Sequence, residues 1–183
     1  MMRRTASWLL ACVALAGIPN VSAQVSFDRP ALLTSIGQSS DLAIVKVILN
    51  TQLKLGLEVK PLASASDLEG VKSLVVVVGA STKGMGAAGL DLEKELARGR
   101  ALMRAAHDRG VKVLVMHTGG AVRRGKTSNE TIEVAVPAAD CVVVVAAGNK
   151  DGLFNTLADR RKTPVVQVER ATAVGEAVRG LIK

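Results

Sequence analysis

Three consecutive stretches decide the fold: Ser73–Val78 (SLVVVV), Gly79–Gly89 (GASTKGMGAAG) and Asp91–Arg109 (DLEKELARGRALMRAAHDR). The first is an apolar, largely β-branched run with no polar alternation. A strand reads this way when both its faces are buried, as in a parallel sheet covered by helices. The second stretch is a glycine-rich loop. In the third, Leu92, Leu96, Gly99, Met103 and Ala106 recur at intervals of four and three, which is one face of a helix. Gly99 on that face lets the helix backbone come close to the sheet. Glu93, Lys94, Arg100, Arg104 and Asp108 fall on the solvated side.

The same strand–loop–helix unit repeats on either side. Strands are expected at Pro30–Thr34, Leu57–Lys60, Val111–Met116, Cys141–Val145 and Pro164–Val168. Helices are expected from Ser39 or Ser40 to about Leu55, and over Thr127–Val136, Asp151–Arg160 and Ala173–Lys183, with one turn at Ser66–Gly70. Such alternation predicts a doubly wound three-layer α/β sandwich, Rossmann-like or flavodoxin-like, with a mostly parallel sheet of five to six strands. The helix Asp41–Leu55 is apolar almost all round, with only Lys46, Asn50 and Lys54 as a polar stripe. It is expected to be buried on nearly every side, or to share its surplus in a homodimer contact.

Residues 1–23 read as a signal peptide. Arg3 and Arg4 precede the apolar Trp8–Ile18, and Val21-Ser22-Ala23 offers small residues for cleavage after Ala23. The apolar run is short against the roughly 20 residues of a membrane span. The expected product is a periplasmic or secreted single domain, residues 24–183, with no transmembrane span. Its formal charge falls from +8 to +6 with the loss of Arg3 and Arg4. That balance favours anionic partners. Phe27 and Phe154 are the only aromatic residues beyond the leader. Without stacking platforms, nucleic acid is not an expected partner. Cys141 is the only cysteine beyond the leader and reads as a buried small hydrophobe.

Loops follow four of the expected strands, and in a sheet of this kind they meet at the carboxyl edge, where ligands bind. Ser35–Asp41 (SIGQSSD) offers Ser35, Gln38 and Ser39 beside a helix start. Gly79–Gly89 offers Lys83 with Gly84 and Gly86, whose backbone a ligand can approach closely. His117–Lys126 (HTGGAVRRGK) carries His117, Gly119, Gly120, Arg123 and Arg124, and arginine grips phosphate or carboxylate as a bidentate fork. Gly148–Gly152 (GNKDG) adds Asn149 and Lys150. His117, at a strand tip, is the one candidate for proton transfer. Thr127 and Glu130 have the spacing of a capping box.

Gly84-Met85-Gly86-Ala87-Ala88-Gly89 matches the dinucleotide fingerprint in spacing. Gly79–Lys83 intervene after the strand, however, and the next strand ends in Met116-His117 with no acid for a ribose hydroxyl. These features argue against NAD, and no cofactor is expected. Nor is a metal: two histidines and one cysteine do not build a standard zinc site, and Asp41, Asp91 and Asp151 sit where helix capping explains them.

Leu32–Asp41 (LLTSIGQSSD), Val77–Gly89 (VVGASTKGMGAAG), Met116–Gly125 (MHTGGAVRRG) and Ala147–Phe154 (AGNKDGLF) resemble an uncharacterised family of exported bacterial α/β domains. The resemblance covers nearly everything after Pro30 and implies no catalytic residues. Three functions fit the residues. The first is a binding protein for a small anionic molecule, held by the loops at the carboxyl edge. The second is a hydrolase or transferase acting on a phosphate- or carboxylate-bearing substrate, with His117 as acid and base. The third is an accessory subunit of an envelope complex that docks through its apolar first helix.

Overall fold

The computed structural model describes residues 25–183; the expected leader and its cleavage site lie outside them. Six strands form one fully parallel sheet: β1 (Ala31–Ile36), β2 (Glu58–Val59), β3 (Ser73–Val78), β4 (Lys112–His117), β5 (Cys141–Val145) and β6 (Val165–Val168). Their order is β2-β1-β3-β4-β5-β6. The chain first winds from β1 outward to β2, then crosses back and runs the other way. The point of reversal lies between β1 and β3, the usual place of a ligand crevice in such sheets.

Two apolar layers follow from the period-two alternation of the strands. Leu32, Leu74, Val76, Val113, Val115, Val142 and Val144 face Leu102, Met103, Ala106, Ile132 and Phe154. These helical partners belong to α3 (Leu92–Asp108), α4 (Lys126–Ala135) and α5 (Leu153–Asp159). Leu33, Val75, Val77, Leu114, Met116 and Val143 face Val45, Ile48, Leu49, Val174 and Val178 on the other side. Those come from α1 (Asp41–Lys46), its continuation, and α6 (Val174–Val178). Phe27 completes this layer. The segment carrying it pairs with the chain end through Phe27 N–H to Leu181 O (2.7 Å) and Lys183 N–H to Phe27 O (2.9 Å).

Several boundaries differ from expectation. β1 runs two residues further, because its ladder with β3 pairs Ser35 with Val77 and Ile36 with Val78. The first helix changes at Val47 to a π-helix through Gln52, and the Asn50 side chain bonds both backbone groups of Leu57 at 2.8 Å. It is not buried all round: Ile44 and Val47 are 45% and 49% exposed. α2 (Thr82–Ala87) occupies much of what reads as a glycine-rich loop. α4 starts at Lys126 with Gly125 as its N-cap and no side-chain cap, so the Thr127–Glu130 capping box does not form. α6 ends at Val178 rather than at the chain end.

Candidate functional site

All six strands point the same way, so the loops after β1, β3, β4 and β5 lie along one edge. Side-chain hydrogen bonds join them. Gln38 and Ala80 form an antiparallel bridge. Ala80 N–H donates to Ser128 Oγ at 3.0 Å. Arg123 donates to Ser40 Oγ at 3.0 Å, and Arg124 donates to the carbonyl of Gly148.

At the point of reversal the β1 loop is held by a buried ion pair. Glu95 on α3 is fully buried and Arg98 nearly so. Glu95 Oε1 accepts from Gly37 N–H (2.7 Å), Gln38 Nε2 (2.9 Å) and Arg98 Nη2 (2.7 Å), while Oε2 accepts from Arg98 Nε (2.8 Å). Arg98 also donates to the carbonyls of Ala63 and Ser35, each at 2.6 Å. Burial pushes the Glu95 carboxyl up. The bonds from Arg98, Gly37 and Gln38, with the attraction of the guanidinium, outweigh it and hold the carboxyl below its ordinary value. Gly37 has φ +103°, and a side chain there would overlap the backbone of Gly79. Only glycine fits.

The β3 loop rises into α2, whose start is capped by Ser81 Oγ accepting from Gly84 N–H at 3.0 Å. Gly84 and Gly86 of the fingerprint are therefore helical, and Gly89 (φ +70°) lies just past the helix end. Gly84 lacks a side chain because a Cβ there would overlap the carbonyl of Gln38. Lys83 is exposed.

At the end of β4, His117 has no exposed surface. Its Nδ1 lies 3.1 Å from Val78 O and its Nε2 3.3 Å from Gly120 O. The ring centroid is 5.4 Å from that of Phe154. Gly148 packs on the other side of the ring, where a Cβ would come within 2.8 Å of Cδ2. His117 braces the edge from beneath. The expectation of an acid–base histidine lining a pocket is corrected on that ground: no ring nitrogen reaches solvent.

Arg124 is only 12% exposed. Its Nε donates to Asn129 Oδ1 (2.9 Å), and Nη1 and Nη2 donate to the two Asp151 oxygens at 3.2 and 2.8 Å. The guanidinium lies 5.5 Å from the Phe154 ring centroid. Arg124 holds the Asp151 carboxyl below its ordinary value, and Asp151 accepts in turn from Leu153 N–H. Three of the four Arg124 hydrogen bonds, to Gly148 and Asp151, thus tie the β4 and β5 loops together, and the fourth reaches Asn129 on α4. Asn149 is also structural: its side chain accepts from Phe154 N–H at 3.1 Å and donates to Asn155 at 2.6 Å.

Between these loops lies an open cleft of about 320 Å³. Arg124, Gly125, Asn129, Gly148, Lys150 and Asp151 line it. A larger hollow of about 500 Å³ lies away from this edge, beside α5, and is lined by Asn155, Asp159, Lys162 and Val165 among others.

Of the residues singled out from the sequence, Arg124 and Lys150 meet at the cleft. Gln38, Ser39, Gly84, Gly119, Gly120 and Arg123 lie along the same edge as packing or loop contacts. Ser35 is not in a loop: it is a buried strand residue donating to Val77 O at 3.2 Å. Gly86 is exposed on α2. Sequence reasoning missed Glu95 and Arg98. The signal was present, since Glu95 stands three residues after Leu92 and four before Gly99, on the buried face of α3. Cys141 is buried as expected, and burial pushes its thiol up to about 11.

A family model for a domain of unknown function, DUF6305, matches residues 28–182, and the chain belongs to that family. A comparison with curated proteins finds no match.

Proposed function

We propose that this member of the DUF6305 family is an exported binding module for a small phosphate- or carboxylate-bearing molecule, taken up at the carboxyl edge of its sheet. The division of charge along that edge supports the reading. Arg98, Arg123 and Arg124 each face an acid: Glu95, Asp41 and Asp151. Lys83, Lys126 and Lys150 lie on the same edge, are exposed, and have no ion-pair partner among the described residues. Lys150 lines the cleft, and Lys126 opens α4, whose cap Gly125 lines it too. A helix start without a side-chain cap and two unneutralised lysines make this side of the cleft attractive to an anion. The leader pattern of Arg3, Arg4 and Trp8–Ala23 supports export.

Calorimetric titration of the protein with inorganic phosphate and with citrate tests this. Saturable binding is expected, weakened roughly tenfold by the double substitution Lys126→Ala with Lys150→Ala, and weakened by salt. Binding that the double variant leaves unchanged sinks the role of these lysines. Arg124→Ala is a poor probe of the same question, because it also unties two loops.

A second reading draws on Ile44 and Val47 of the first helix and on Val122, which is 90% exposed at the tip of the β4 loop. Exposed apolar side chains suit docking to another protein. Light scattering would reveal a self-association that Val122→Asp abolishes.

A further inference from the structure

Two buried polar atoms at the carboxyl edge have no hydrogen-bond partner among the described residues: Asp41 Oδ2 and Thr118 Oγ1. The Asp41 side chain is 3% exposed and Thr118 is 5% exposed. They belong to the loops after β1 and β4, which meet across the end of β3. Gly79 ends β3 there without a side chain, between Ser39 and His117. A buried carboxylate oxygen without a donor is costly, and native proteins keep few of them.

Arg123 covers this spot. A Cβ on Gly119 would overlap both the stem of Arg123 and Asp41 Oδ2, so the glycine is what lets the two side chains meet across it. The cover is loose. Arg123 Nε stands 3.8 Å from Asp41 Oδ1, and the Arg123 side chain is 40% exposed. Its one hydrogen bond among the described residues goes to Ser40. Gly120, at φ +59°, precedes the short turn Ala121–Arg123 that carries it.

We infer that this spot recognises a hydroxyl group on the bound anion. The inference rests on the anion-binding reading above and names the ligand class: a hydroxycarboxylate or a polyol phosphate. The ligand hydroxyl donates to Asp41 Oδ2, and Thr118 Oγ1 bonds the same or the next hydroxyl. Arg123, carried on the turn whose Ala121 lines the cleft, leaves its long contact with Asp41 and shares the anionic group with Lys150. Because Arg123 and Asp41 are neighbours, the ligand's hydroxyl and anion stand within a few bonds of each other. A bare metal cation suits the spot less well. Arg123 and the positive end of the first helix would repel it, and no group of three or more His, Cys, Asp and Glu among the described residues could hold one.

Paired probes test this in the full protein: glycerol 3-phosphate against propyl phosphate, and glycerate against propionate. The hydroxylated member of each pair is expected to bind at least roughly tenfold tighter, as for a hydrogen bond to a charged group. Asp41→Ala removes that preference, and Thr118→Val reduces it, which keeps the test decisive if the first variant folds poorly. Lys150→Ala weakens both members of each pair alike. Equal binding of the two members, still dependent on the lysines, overturns this inference and leaves the anion-binding reading standing. A preference that survives Asp41→Ala overturns it as well. Absence of binding by all four probes overturns both. Saturable Mn²⁺ binding that needs Asp41 would replace the hydroxyl with a cation.

Discussion

Glu95 and Asp41 are both buried carboxylates, each beside an arginine and each at the carboxyl edge, yet they are held in opposite ways. Glu95 accepts four hydrogen bonds, two of them from Arg98. Asp41 has one oxygen with no partner among the described residues and an arginine only at 3.8 Å. A buried charge is tolerated when every lone pair meets a donor. Glu95 meets that condition and fixes the β1 loop. Asp41 does not, and on the inference above its free oxygen is the one a ligand hydroxyl would meet.

The largest test of this contrast is Glu95→Ala. It leaves Arg98 charged and buried, and strips the donors of Gly37 and Gln38 of their acceptor. A loss of about 3–5 kcal/mol is expected from urea unfolding. A loss below about 1 kcal/mol would mean the pair is not what holds this loop. Gly84→Ala attacks the same loop from the other side, because the new methyl meets the Gln38 carbonyl, a backbone atom. We expect about 2–3 kcal/mol of destabilisation, with little change in the far layer that contains Phe27.

Acid tests the Glu95 side of the contrast. Glu95 has a folded-state value below its ordinary 4.5. Its contribution is therefore fully present above about pH 5 and is lost as the pH falls through the lower folded value. Asp67, held down to about 2 chiefly by its bonds from Ser64, adds to the same acid limb. The informative quantity is the difference between the protein and Glu95→Gln, which should shrink below pH 4 as Glu95 itself takes up a proton. A difference that stays constant from pH 7 to pH 3 would contradict the depressed value. The smallest expected effect is that of Asp41→Asn, within about 1 kcal/mol in the absence of ligand, because no well-made hydrogen bond is lost. A loss above about 3 kcal/mol would place Asp41 among the structural acids with Glu95.

Much of the fold was legible. The runs Ser73–Val78 and Cys141–Val145 are strands to the residue, and the stripe on α3 faces the sheet as its spacing requires. The errors have specific causes. Ser35 looks like a loop residue because a hydroxyl and a nearby Gly37 usually break strands; here Val77 O satisfies the hydroxyl and the ladder to β3 carries the strand on. Gly84 and Gly86 lower helix propensity, so α2 reads as a loop, yet close packing on Gln38 and the Ser81 cap favour a helix. His117 follows Val113 and Val115 in strict alternation, which points it at the layer of Phe154 rather than at solvent.

The sequence by itself determined the parallel α/β architecture, since unbroken apolar runs and helical spacings report burial locally, and it located the loops at one edge. It also marked the cations there. Only the tertiary structure decided which of those cations are neutralised. Arg124 finds an acid 27 residues away and Arg123 faces Asp41 across the loops, whereas Lys83, Lys126 and Lys150 find none among the described residues. Hydrogen-bond satisfaction depends on which loops meet across the sheet, and that is a property of the assembled fold. For the same reason Asp41 reads as a helix-start acid in the chain and becomes a buried carboxylate, faced only by a distant Arg123 among the described residues, when the β4 loop lies over it.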